Sequence, residues 1–236
     1  MNRLFPLFLA AVLSTSVFAQ DDVERIKPMV KSGRCSDAIA PLQNIYKSSF
    51  RKLDGEKASV MLAECYLRAG KKDAAYDVAS RFLEYHVKSA YRERMELARA
   101  VVDVEKGSVF DGVEAMLRVL SYSTNPAARS RAKDVAIQTL AASLLTADQL
   151  QSLLEKYPVD REVMGWMQLQ IGRECQNAKR YRAARYWYKK VLKTTSSENL
   201  QKTAKKGISA LEGPPLSGPT RLMIPFCSIF FIFLFT

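Results

Sequence analysis

Apolar residues recur three and four positions apart along most of the chain, the spacing of one face of an α-helix. The clearest run is Leu62, Ala63 and Tyr66, then Gly70, then Ala75, Ala79 and Phe82. A later run is Ile171, Gly172 and Cys175, then Tyr181, Ala184, Tyr188 and Val191. Together with turn and breaker residues, the pattern predicts helices over 23–32, 36–48, 55–69, 73–86, 89–106, 109–121, 126–145, 147–156, 160–178, 181–193 and 197–212. No proline falls between Pro41 and Pro126, or between Pro158 and Pro214. Long proline-free stretches rich in Ala, Leu, Lys, Arg and Glu favour helices. Thr146 with Gln149 three residues later is a helix start of capping-box type. Pro158 stops the helix before it, because the residue preceding a proline is pushed out of the helical region.

A period runs through this pattern. Gly33, Gly70 and Gly107 are each 37 residues apart. Each ends one apolar helical stretch and stands a few residues before the next. A glycine closes a helix readily in a left-handed turn. Ser36 and Asp37, Asp73, and Asp111 then cap or charge the following helix start. Ala38, Ala74, Ala75 and Gly112 are small enough to let two helices approach closely.

The order of these residues resembles the tetratricopeptide repeat: a large-small pair, an aromatic three positions later, a glycine, then alanine and an aromatic on a second helix. The match is degenerate. Tryptophan is missing from the usual first position, Cys175 replaces an aromatic, and the third unit carries Asp103 and Gly112 where the pattern has an aromatic and alanine. The resemblance implies an all-α, right-handed, TPR-like helical solenoid of about five helix pairs over residues 20–212. It also implies a partner-binding groove lined by the first helix of each pair. By position these residues are Val60, Glu64, Leu67 and Arg68, then Leu169, Arg173, Gln176 and Asn177. Arg68 and Arg173 could then grip a carboxylate.

A narrower resemblance covers the layout of residues 23–212. The segment from Leu145 to Pro158, a long helix, and an Arg-Tyr-x-x-Ala-x-x-x-Tyr unit are similar to the helical N-terminal region of two-domain bacterial periplasmic proteins. In those proteins a tetratricopeptide-like domain precedes a binding domain of the branched-chain amino-acid receptor type, the layout of the penicillin-binding protein activators. Residues 213–221 read as a Gly/Pro linker. Residues 222–226 resemble the short apolar strand that opens the receptor-type domain, but Cys227-Ser228 and the phenylalanine-rich end depart from it. For residues 222–236 three readings stay open: a truncated first strand, a membrane anchor, and a tail packed on the solenoid.

The first residues read as a secretory signal peptide. Arg3 supplies positive charge, residues 4–13 are apolar with one early proline, and Val17 and Ala19 occupy the small positions before a cut at Gln20. Ten apolar residues are too few to span a bilayer. The expected location is therefore outside the cytoplasm, in the bacterial periplasm, with membrane association through the tail as an addition. In an oxidising compartment disulfides are allowed. The four cysteines, Cys35, Cys65, Cys175 and Cys227, include no C-x-x-C pair and permit three pairings. Cys65 and Cys175 also read simply as small apolar helix residues. If one bridge forms, Cys35–Cys65 is favoured, because stacked repeats place matching turns side by side.

Composition changes the picture at one end of the chain. The net charge is +12, and residues 161–210 hold 12 Lys and Arg against 3 Asp and Glu. The densest part is Arg180 to Lys190, where Arg182, Arg185 and Lys189 share one helical face and Tyr181, Ala184, Tyr188 and Val191 another. This reads either as an ordinary solvated face or as a basic patch for an anionic partner. Export directs that patch away from nucleic acid and toward anionic glycans or lipid head groups. A single histidine, His86, argues against histidine metal sites and Ser-His or Cys-His catalysis; at a helix end it reads as a partner of the helix dipole. Glu93 and Glu96, surrounded by Arg92, Arg94 and Arg99, read as a surface charge lattice. No residue pattern calls for a cofactor or an enzyme. The expectation is a non-enzymatic, protein-binding scaffold of the bacterial cell envelope. Its rivals are a truncated substrate-binding or transport-associated protein and a membrane-tethered assembly factor.

Overall fold

A computed structural model describes residues 22–142 and 145–212. The signal segment, the Gly/Pro linker and the apolar tail with Cys227 lie outside the described residues. Those described form eleven helices and no strand. They are α1 (22–31), α2 (Cys35–Ser49), α3 (Leu53–Arg68), α4 (Lys72–Tyr85), α5 (Arg92–Glu105), α6 (Val109–Tyr122), α7 (Pro126–Ala142), α8 (Ala147–Lys156), α9 (Arg161–Asn177), α10 (Tyr181–Thr194) and α11 (Glu198–Ala210). The protein is all-helical over these residues, and every helix expected from the apolar spacing is present.

The boundaries move where a side chain competes with the helix. α5 begins at Arg92 rather than 89, because Ser89 forms a turn. Its hydroxyl accepts from the Tyr91 amide at 3.1 Å and its carbonyl from the Arg92 amide at 3.1 Å. α8 starts where expected, on a reciprocal cap: the Gln149 amide donates to Thr146 Oγ1 and the Thr146 amide to Gln149 Oε1. Asp160 caps α9 by accepting from the amides of Glu162 and Val163, both at 3.0 Å. Burial opposes its ionisation, but these amides and Lys133 outweigh that and hold its carboxyl below the ordinary range.

Four turns repeat one geometry. Gly33, Gly70 and Gly107 have φ of +80°, +68° and +94°. In each, the next residue's amide reaches back five positions: Arg34 to Met29, Lys71 to Tyr66 and Ser108 to Asp103. This is the Schellman closure, which satisfies carbonyls left over at a helix end. A Cβ on any of the three glycines would meet nothing within 4 Å, so backbone conformation alone selects glycine there. The Ser and Asp residues that follow act only partly as expected. Asp37, Asp73 and Asp111 place charge in the first turn, but no side chain caps α2, α4 or α6.

The fourth turn has Lys179 at φ +58°, with the Arg180 amide bonded to the Cys175 carbonyl at 2.7 Å. A non-glycine residue is strained there by about 1–2 kcal/mol. Lys179→Gly is therefore expected to raise stability by about 1 kcal/mol, since glycine's larger unfolded-state entropy cancels part of the relief. Urea unfolding would register this as a higher midpoint at unchanged slope, and a lower midpoint would contradict it.

The chain divides into two compact units, one ending at Val102 and the other beginning at Asp103. In the first, α2 packs on α3 and α3 on α4. Its core takes Val23, Ile26 and Val30 from α1, Leu42 from α2, Ala58 and Leu62 from α3, Ala75, Ala79 and Phe82 from α4, and Met95 and Val102 from α5. In the second, α6 packs on α7, α7 and α8 on α9, and α9 and α10 on α11. Among the described residues no helix is long and apolar enough to cross a membrane.

Candidate functional site

The expected groove residues on α3 belong largely to the packing of the first unit. Val60 and Glu64 are buried, and Leu67 and Arg68 half-buried. Glu64 Oε1 accepts from Arg94 of α5 at 2.7 Å from Nε and 2.6 Å from Nη2, a forked pair that fixes both side chains. Arg68 Nη1 donates to the Val30 carbonyl at the end of α1 at 2.8 Å. One face of α3 thus ties backward to α1 and forward to α5. Arg94 departs from the charge lattice read in the sequence. Within that lattice Arg92 does pair with Glu96, at 3.2 Å. The Glu64–Arg94 pair spans 30 positions and leaves no local spacing signal.

In the second unit Leu169 is buried, Arg173 and Gln176 are half-buried and Asn177 is exposed. Gln176 Oε1 accepts from the Tyr188 hydroxyl at 2.7 Å. Burial pushes the Tyr188 phenol up to about 12, against the opposing influence of Arg173 nearby. Gln170, one residue beyond Leu169, donates to the Leu140 carbonyl at the end of α7 at 2.7 Å. This repeats in the second unit the tie that Arg68 makes to α1 in the first. Of the candidate residues here, Asn177 is the most open to a partner, with the half-buried Arg173 one helical turn before it.

The basic face of α10 is open. Arg182, Arg185 and Lys189 are all exposed, and α10 contains no acidic residue. Arg185 has Glu212 at 3.9 Å, the outer limit of an ion pair, while no carboxylate among the described residues pairs with Arg182 or Lys189. The inward face of α10 holds Ala184, Tyr188 and Val191 as expected. Tyr181 does not join it and is 52% exposed, since it opens the helix at the turn, beyond the reach of the core. Tyr186 is 53% exposed and meets Trp187 edge-on with ring centroids 5.4 Å apart. Lys190 Nζ lies 4.9 Å and 4.8 Å from the two ring centroids, a cation–π cluster on the surface.

His86 sits elsewhere and differently from expectation. Its amide closes α4 on the Phe82 carbonyl, but its ring is buried against Phe82 and Phe50, with Nδ1 3.3 Å from Glu56 Oε1. Aromatic packing and a carboxylate hold the ring, rather than the carbonyls of the helix end. Among the described residues no group of His, Cys, Asp and Glu is arranged to hold a metal ion.

No protein-family model matches the chain, and no curated protein matches it.

Proposed function

We propose that this chain is a non-catalytic, tetratricopeptide-like solenoid of about five helix pairs that serves as a protein-binding scaffold in the bacterial cell envelope. The repeated turn geometry and the ties from α3 to α1 and α5, and from α9 to α7, support the stacking. The observation that carries the binding role is the face of α10. Arginines, the exposed Tyr186 and the half-buried Trp187 lie on one helix there, with no acidic residue on it to neutralise the charge. Arg, Tyr and Trp are the residue types that dominate binding energy at protein interfaces. A partner protein presenting an acidic surface fits this face, and complementary charge would speed encounter as well as orient it. Arg173 and Asn177 of the neighbouring helix extend the candidate surface.

The test is a pull-down from envelope extract with the full chain and with Arg182, Arg185 and Lys189 all changed to Ser. The wild type is expected to retain a partner protein at low salt and release it at about 0.5 M salt, where exposed charges are screened within a few ångströms. The triple variant, with unchanged circular dichroism, is expected to bind at least about tenfold more weakly, in line with the loss of a few interfacial charges. Equal retention by the variant would remove this face from the proposal. Recovery of only anionic glycan or lipid would replace the protein partner by those polymers.

A further inference from the structure

Cys35 and Cys65 stand together in the first unit. Cys35 is the first residue of α2 and is 5% exposed, while Cys65 lies in the last turn of α3 and is fully buried. Both belong to one buried core, and Cys35 is near enough to act on the ionisation of the Cys65 thiol. The fold explains the meeting. α2 packs on α3, so the start of one helix lies beside the end of the other, and the turns at Gly33 and Gly70 recur at the same places in their repeats. Both sulfurs are free thiols in the structure, and Cys175 is the third buried free cysteine among the described residues.

We propose that Cys35 and Cys65 form an intrachain disulfide that fastens the start of α2 to the end of α3. The step is a thiol–disulfide exchange. One cysteine thiolate attacks a sulfur of a small-molecule or protein disulfide, and that disulfide's other sulfur leaves as a thiolate. The second cysteine, deprotonated, then attacks the mixed disulfide and expels the remaining carrier thiolate. The two cysteines are oxidised, the carrier is reduced to two thiols, and the two cysteine protons pass to the leaving thiolates. The new bond is about 2.0 Å long, and it requires Cα atoms about 4.4–6.8 Å apart. α2 packs on α3 with both cysteines at the same end of the pair, so closing the two helices brings the thiols toward each other.

Burial and the neighbouring Cys35 thiol push the Cys65 thiol well up from its ordinary value. Cys65 is therefore a poor nucleophile once folded. Oxidation accordingly belongs to the stage before α2 closes fully on α3. This inference does not rest on the proposed partner binding and survives its failure.

The experiment refolds the full chain in a mixture of oxidised and reduced glutathione. Remaining thiols are then blocked with an alkylating reagent in denaturant without reduction, and the peptides are mapped by mass spectrometry. The expected result is a Cys35–Cys65 cross-linked peptide, with Cys175 and Cys227 alkylated. Reduction should then lower Tm by about 10 °C, as expected for opening a loop of about thirty residues. A Cys35→Ser, Cys65→Ser variant should lose that dependence on reductant, and Cys175→Ser should keep it. Four alkylated thiols would overturn the proposal, as would a bridge from Cys65 to Cys175 or Cys227. The peptide map needs no variant to fold.

Discussion

Gly55→Ala is expected to destabilise the first unit by about 3 kcal/mol or more, the upper end of what overpacking costs. In an unencumbered helix the same change would stabilise by about 0.5–1 kcal/mol, so the sign alone is diagnostic. Gly55 is the third residue of α3. A Cβ there would fall 2.0 Å from the Ser49 carbonyl oxygen, 2.4 Å from its carbon and 2.6 Å from the Phe50 Cα. All three atoms are backbone, so no rotamer change relieves the clash. The same Ser49 carbonyl accepts from the Lys52 amide at 2.8 Å, closing the turn between α2 and α3. Only residues 50–52 connect the two helices, which leaves little slack for retreat. Relief would require opening that turn and separating α2 from α3. Denaturant unfolding followed by circular dichroism reads the result, and a midpoint at or above wild type would refute the close approach of α3 to the end of α2.

The helices were legible because they depend on local information. Apolar spacing, the Thr146–Gln149 cap and the stop at Pro158 each act within one or two turns, and the structure uses all of them. The glycine period was legible for the same reason, since a left-handed residue at a helix end selects glycine from its own conformation. Lys179 shows the limit. Its turn has the same hydrogen bonds, but the marker residue is absent, so counting glycines stops at Gly107. The candidate site was less readable because it depends on pairs distant in sequence. Position alone put Glu64 in the groove, whereas its pairing with Arg94 of α5 needs the fold, and nothing within four residues of Glu64 announces it. Tyr181 failed differently. Helical spacing assigns a face but not a depth, and the first residue of a helix can lie on the inward face and still miss the core. The α10 charge was visible in composition, whereas the cation–π arrangement of Tyr186, Trp187 and Lys190 required the rotamers.

Gly172→Ala is expected to cost the second unit about 3 kcal/mol, for a reason that lies in one aromatic ring. A Cβ at Gly172 of α9 would fall 2.7 Å from both Cδ1 and Cε1 of Tyr188. A flexible side chain would swing away, but this ring cannot. On its other edge a Cβ at Gly207 of α11 would fall 2.6 Å from Cε2 and 2.7 Å from Cζ, so the ring fills the space that two glycines leave. Its hydroxyl is fixed by the bond to Gln176, and Tyr188 is 2% exposed. Retreat from α9 therefore drives the ring toward the α11 backbone and strains the packing of α10 between them. Tyr188→Ala alone should cost about 3–5 kcal/mol as a large cavity. If the clash with the ring is the cause, the two changes must be far from additive. Gly172→Ala combined with Tyr188→Ala should be no less stable than Tyr188→Ala by itself, because the added methyl then enters the vacated space. Additive losses in the double variant would place the cost of Gly172→Ala in the helix backbone and leave the ring without its assigned role.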